Sequence, residues 1–352
     1  MVIIGCDFHP GFQQIAMVDT EGGEVRRLRL AHKQQAEQFY RSLRGREVLV
    51  GMESCGYTQW FEQLLGELGL GYRIGDAAQI RASYVRKQKT DKRDAGHILR
   101  LLVEDRFPAL KWLPTAAERD VRQLIVHRHK RVQMETRVKN QLHALAINQG
   151  LRMRWKLWSK EGRQQLQALP LLPYAAARRA DLLQQLDQME EEVERLDGTV
   201  RREAEARPEA VRLMSHPGVG PVTALAYVLT LGDVRRFEHA RQVASYLGLI
   251  PSEHSSGGKQ RLGHISKQGN SLLRFLLVEA GHSAVRKDAE LARCYARLKH
   301  RHSTGVAKVA VARKLALRLY WMLRSQIDYA QLRGPRAGKP VSFPGGQTRP
   351  AL

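Results

Sequence analysis

Cysteine is scarce: the 352 residues hold three, Cys6, Cys55 and Cys294, and no two of them form a CxxC pair. That usage argues against a cysteine zinc site and for a reducing cytoplasm. Long apolar runs are missing too. There is no stretch of about 18 consecutive apolar residues and no signal-peptide pattern, so no membrane partner is expected. The glycine pair of GGKQ (257–260) lacks the GxxxxGK[ST] spacing of a P-loop. Acids are in deficit: 35 Asp plus Glu face 58 Lys plus Arg, for a net charge of +23 and a pI near 10.4. Such a surplus calls for a polyanion, nucleic acid first, because counterion release drives that association. At 40.0 kDa the chain has material for two or three domains with buried cores.

The first hundred residues read as α/β structure. VIIGCD (2–7) and EVLVGME (47–53) are short apolar runs, FQQIAMV (12–18) and EVRRLRL (24–30) alternate or nearly so, and GYRIGD (71–76) is a further strand. Helical periodicity occupies 33–44, 56–69 and 92–104. The order is a three-strand meander, then a helix, then alternating strand and helix. Beyond Pro108 long helices take over. The expected division is an N-terminal domain (1–108), a basic helix and coiled-coil region (109–204), a mainly helical C-terminal domain (205–333) and a disordered basic tail (334–352).

Four carboxylates in the first domain stand out. Asp7 closes the first strand, Glu53 closes the fourth, and Asp91 and Asp94 lie in KTDKRDAGHI at a helix start. Spacing of i,i+3 puts the last two on one helical face, where they repel unless a cation lies between them. A hard divalent ion, Mg²⁺ or Mn²⁺, suits such oxygen donors. The plain alternative is that Thr90 or Asp91 caps the helix and the other acids are unrelated. A meander followed by alternating elements sets the strands of Asp7 and Glu53 side by side, and the quartet then resembles the Asp-Glu-Asp-Asp set of RuvC-like, RNase H-like nucleases.

From Arg119 to Arg163 there are 12 Lys plus Arg against three acids, with Trp155 and Trp158 in the same stretch. Arg128, Lys130, Arg131, Arg137 and Lys139 read as a nucleic-acid-binding face, the tryptophans as stacking surfaces. The sign then reverses. Leu182, Leu186, Met189, Val193, Leu196 and Val200 form a heptad seam with Glu190, Glu191, Glu192 and Glu194 around it. The seam folds back on 119–148 as a hairpin or pairs with a second subunit, and it is the natural contact of an expected homo-oligomer.

The last domain opens with SHPGVGPVTALAYVLTLGD (215–233). Gly218 and Gly220 stand as in a helix-hairpin-helix turn, where backbone amides approach a DNA phosphate, although glycine turns also serve helix packing. Further on, HSSGGKQRLGHISKQGN (254–270) sets two serines and two glycines among Lys259, Arg261 and Lys267, cations suited to neutralising a phosphate.

In chain order, GCDFH, GMESCG, KTDKRDA, HPGVGPVTA, YLGLIPSEHSSGGKQRLGHISKQGN and a terminal basic helix resemble the insertion-sequence-110 family of transposases, which includes the Piv-type invertases. The likeness runs from Met1 to Arg333. It implies a bacterial, cytoplasmic DNA recombinase acting at the nucleoid on donor and target DNA. It implies a structured non-coding guide, the bridge RNA, and a dimer or, in the active complex, a tetramer. It carries Asp7, Glu53, Asp91 and Asp94 over as a Mg²⁺-binding quartet, and it carries Ser256, before Gly257 and Gly258, over as a nucleophile that forms a phosphoserine link to DNA. Ser255 is the neighbouring alternative. A serine hydroxyl needs a base or a metal to act, and the local options are His254 or an ion held by the quartet. The alternative function is a RuvC-like metal-dependent nuclease or Holliday-junction resolvase without a covalent intermediate.

Overall fold

The computed structural model describes residues 1–84, 91–151, 156–253 and 261–333, without the side chains of Asp91 and Lys92. The chain forms two compact units, residues 1–116 and 117–352.

The first unit is built on five strands, β1 (Val2–Phe8), β2 (Phe12–Asp19), β3 (Val25–Ala31), β4 (Val48–Glu53) and β5 (Gly71–Gly75). The expected meander is present: β1 pairs antiparallel with β2, and β2 with β3, while β4 runs parallel to β1 and β5 parallel to β4. The sheet order is β3-β2-β1-β4-β5. Helices α1 (Gln34–Ser42), α2 (Gln59–Glu67), α3 (Ala77–Ala82) and α4 (Asp91–Val103) complete the unit. The short α3, capped by Asp76 through the Gln79 amide at 2.9 Å, has no counterpart among the periodic segments of the sequence.

Side chains alternate across a strand, so the sheet builds two cores. Val2, Ile4, Cys6 and Phe8 with Val48, Val50 and Met52 pack on Tyr40 of α1 and Phe61 and Leu65 of α2. Ile3 and Ala16 face the other way, onto Ala95, Ile98, Leu99 and Leu102 of α4. Those α4 positions recur at i, i+3, i+4 and i+7, the stripe a helix buries against a sheet. The unit reaches residue 116 rather than 108 because Leu110 and Leu113 still pack on the sheet core.

The second unit contains α5 (Ala116–Asn148), α6 (Lys160–Gln167), α7 (Pro173–Glu205), α8 (Pro208–Met214), α9 (Pro221–Leu231) and α10 (Ala240–Tyr246). A two-stranded ribbon follows, β6 (Pro251–Glu253) and β7 (Leu262–Ile265), then α11 (Ser271–Val285), α12 (Ala289–Arg301), α13 (Thr304–Arg324) and α14 (Tyr329–Arg333). Its main core surrounds α9, α11 and α13. Tyr227 and Tyr320 are fully buried there and satisfy their hydroxyls on backbone carbonyls, Ala316 at 2.6 Å and Phe237 at 3.0 Å. Ile125 of α5 and Val200 and Ala204 of α7 belong to this same core, so the segment 109–204 shares its interior with 205–333.

The heptad seam packs within the chain, which is the hairpin alternative of the two the sequence leaves open. Leu182 and Leu186 pack against Val138, Leu142, Leu145 and Ala146, and Val200 joins Ile125, so α5 and α7 form an antiparallel hairpin. Hydrophobic burial drives this closure, each fully buried leucine contributing about 2 kcal/mol. Among the described residues, no helix is long and apolar enough to cross a membrane.

Candidate active site

Asp7 and Glu53 reach the same place by strand register. The parallel ladder pairs Cys6 with Met52, so the next residues of each strand, Asp7 and Glu53, lie side by side at the sheet's edge. Both share the parity of Ile3, Gly5, Leu49 and Gly51, and therefore face α4. Asp94 stands on α4 one turn before Ile98 of the sheet-facing stripe, and is 5% exposed. Asp91 begins the same helix one turn earlier, and its side chain lies outside the described residues.

The close seat of α4 has a cause in the sequence. A Cβ at Gly5 would lie 2.3 Å from the Leu99 nitrogen and 2.4 Å from the Ala95 carbonyl oxygen. Only glycine lets the helix backbone lie on β1 at this point, and that contact holds the first turn of α4 above Asp7. Glycine inside an apolar strand marks such an approach, a signal that reading VIIGCD simply as a strand passes over.

Tyr84, absent from the sequence reading, joins the acids. Its hydroxyl donates to Asp94 Oδ1 at 2.7 Å. Burial, that hydrogen bond and the charges of Asp94, Asp7 and Glu53 all push its ionisation well above the ordinary tyrosine range. One hydroxyl thus feels three of the four acids. Its ring lies 4.0 Å from that of His97. Arg100 donates to His97 Nδ1 at 2.8 Å. Because a guanidinium only donates, His97 Nε2 carries the proton and donates to Ser83 Oγ at 2.7 Å, and Ser83 in turn donates to the Ile80 carbonyl. Burial and then Arg100 hold His97 below its usual pKa. His9 is a further neighbour, its Nε2 3.1 Å from Asp7 Oδ2. The acids with Tyr84 give hard oxygen donors of the kind a divalent ion takes. Among the described residues, no group of three or more His, Cys, Asp or Glu side chains is arranged to hold a metal ion.

The serine motif is flanked by a two-stranded ribbon. β6 and β7 pair antiparallel, Glu253 opposite Leu262, so the connection between them carries Ser255 and Ser256. Ser256 and Lys259 lie outside the described residues, while Arg261 and Lys267 are exposed beside β7. Lys267 has φ +55°, and the backbone there packs on Gly248. Asn270 then caps α11, accepting from the Leu273 amide at 3.0 Å. The end of the motif therefore anchors the ribbon.

Gly218, between α8 and α9, has φ +87°, and a Cβ there would lie 2.6 Å from the Ala284 nitrogen of α11, so helix packing requires it. Gly220 is exposed at the N-cap of α9. On α5 the expected basic face is largely neutralised by α7. Arg128 holds both oxygens of Asp197 at 2.7 and 3.0 Å, Arg131 meets Glu192 at 3.0 Å, and Lys139 meets Glu190 at 2.9 Å. Lys130 and Arg137 are exposed.

Comparison with known proteins gives the lineage. A family model described as "Transposase IS116/IS110/IS902 family" matches residues 210–296, and a DEDD transposase model of the IS110 type matches residues 4–147, the stretch holding all four acids. A "Probable family 20 transposase" of Pseudomonas aeruginosa is 31% identical, over 92% of this chain and 96% of that protein. The chain belongs to the IS116/IS110/IS902 family of transposases. This transposase is also 28% identical to a "Transposase for insertion sequence element IS1111A" of Coxiella burnetii, over 93% of this chain and 91% of that one. A "Transposase for insertion sequence element IS1328" of Yersinia enterocolitica shares 26%, over 93% and 97%. As a member of the family it is a DNA-recombining enzyme, and its DEDD type of domain points to a divalent metal ion.

Proposed function

We propose that this transposase recombines DNA through an RNase H-like, RuvC-type metal site made of Asp7, Glu53, Asp91 and Asp94 and a serine nucleophile, Ser256, under the guidance of a structured bridge RNA. The observation that supports the first part is that Asp7 and Glu53 end neighbouring parallel strands on the face that packs against α4, the helix on which Asp94 accepts from the Tyr84 hydroxyl at 2.7 Å. The sheet order, a meander followed by two parallel strands, is the arrangement that the RNase H-like reading requires. Mg²⁺ or Mn²⁺ held by these carboxylates would supply Lewis acidity and offset phosphate charge.

The serine chemistry conserves ester bonds. The Ser256 oxygen bonds to phosphorus as the bond from phosphorus to a sugar oxygen breaks. The serine proton leaves to a base, and the departing sugar oxygen takes up a proton. Attack by a second sugar hydroxyl reverses the step and frees the serine, so strands rejoin without ATP. Lys259, Arg261 and Lys267 supply cations along the loop. Gly218 and Gly220 mark the turn read as a phosphate approach, and the exposed Lys130 and Arg137 carry the proposed RNA contact of α5. The active assembly is a homo-oligomer, since exchange joins two DNAs.

Incubation of protein, copurified RNA and DNA with Mg²⁺ is expected to yield a denaturant-resistant protein–DNA adduct. It should be lost in Ser256→Ala and Asp7→Ala and kept in Ser255→Ala. Cleavage without any adduct would instead identify a metal-dependent nuclease.

A further inference from the structure

The second unit carries a further cationic face, on α12. Helix α12 is strongly two-sided. Leu291 is fully buried and Cys294, Tyr295 and Leu298 are half-buried, at i, i+3, i+4 and i+7, and they face α11 and α13. The opposite side exposes Arg293, Arg297, His300 and Arg301, at i, i+4, i+7 and i+8. The acids near this helix are already engaged elsewhere. Asp288 holds Arg318 at 2.7 Å, and Glu290 holds Arg318 and Lys314. Among the described residues, Arg293, Arg297 and Arg301 pair with no carboxylate, in contrast to Arg128, Arg131 and Lys139 on α5.

A solvated charged face is the ordinary fate of a surface helix. Three features distinguish this one. From Arg293 to Arg301 its exposed charges have a single sign, the exposed Glu290 before them being engaged by Lys314 and Arg318. It sits on a rigid support, with α12 packed on two core helices and its N-terminus fixed by Asp288, which accepts from the Glu290 and Leu291 amides at 2.8 Å. Its cations are guanidiniums, which bind phosphate through two parallel hydrogen bonds. At a rise of about 1.5 Å per residue, Arg293, Arg297 and Arg301 make a straight row of about 12 Å.

We propose that the outer face of α12 is a docking surface for the phosphate backbone of duplex DNA. The proposal rests on the family reading only for the identity of the polyanion. A stiff duplex offers charges at regular intervals of about 3.4 Å along each strand, and a straight, fixed row of cations complements it. Single-stranded RNA is held chiefly by aromatic stacking, and the exposed side of α12 bears no Trp, Tyr or Phe. Its one large aromatic, Tyr295, is half-buried, with its ring 6.4 Å from that of His282. Contacts of this kind read no sequence. They add affinity and set orientation.

The test is duplex binding by the full chain without Mg²⁺, so that no chemistry is required, measured against salt for the unaltered protein and for the triple variant Arg293→Gln, Arg297→Gln, Arg301→Gln. Each lost phosphate contact should flatten the plot of log K against log salt by about 0.9, so the variant's slope should be shallower by about 2.7, with an unchanged thermal midpoint. An unchanged slope would overturn the assignment to α12. A loss confined to a single-stranded RNA probe would overturn the choice of duplex DNA. No binding of duplex even by the unaltered chain would overturn both this surface and the reading on which it rests.

Discussion

The Tyr84 hydroxyl donates to Asp94 Oδ1 at 2.7 Å, while the Tyr84 ring lies 4.0 Å from that of His97. A side chain outside the acid quartet thus fixes one oxygen of a buried carboxylate. Groups that orient ligating carboxylates typically change metal affinity by about 10- to 100-fold when removed. Tyr84→Phe keeps the ring and deletes the donor. It should weaken Mn²⁺ binding, followed by calorimetry on the DNA-free protein, by that factor at an unchanged thermal midpoint. Equal affinity would show that Tyr84 only fills space.

The seat of α4 on β1 depends on Gly5, where a Cβ would meet helix backbone at 2.3 Å. Backbone cannot rotate away as a side chain can, so Gly5→Ala should cost about 3 kcal/mol in denaturant unfolding, the top of the overpacking range. Gly96 is the control on the same helix: a Cβ there meets nothing within 4 Å. Gly96→Ala should be stabilising, by about 0.5 to 1 kcal/mol. Similar effects at both positions would refute the close-contact explanation.

Strand patterning made much of this legible beforehand. Asp7 and Glu53 could be placed at neighbouring strand ends because short apolar runs mark their strands and the meander fixes their order. Three other features could not. Tyr84 follows a six-residue helix that has no periodic signal. Arg128 and Arg131 look like free cations until α7, some 60 residues later, sets Asp197 and Glu192 against them, and side-chain pairing at that separation leaves no local trace. The seam of α7 reads equally well as a dimer contact or as a hairpin, because both bury the same stripe.

Leu186 separates those two outcomes. It is fully buried against α5 of its own chain. Leu186→Ala should cost about 2 to 5 kcal/mol, with an unfolding midpoint independent of protein concentration. A midpoint that rises with concentration would mean that the seam is completed by a second chain.

A pH dependence follows from His216, which is 1% exposed, with its ring 4.5 Å from that of Tyr329. Burial, joined by Arg318, lowers its pKa from 6.5 to about 4. The unfolded chain therefore takes up a proton first as pH falls. Stability is undiminished by this group above pH 6.5, drops between about 6.5 and 4, and levels off below, for a total loss of about 3 kcal/mol. His216→Gln should flatten unfolding free energy across that window, and an unchanged pH profile would contradict the assignment.

The central proposal is a covalent serine link to DNA supported by a carboxylate metal site, and peptide mass spectrometry of the trapped reaction tests it most directly. After nuclease and protease digestion, the peptide spanning residues 254–259 should carry a nucleotide mass fixed to Ser256, present with Mg²⁺ and absent from Asp7→Ala. DNA that is cut and rejoined while every Ser256 peptide stays unmodified would contradict it.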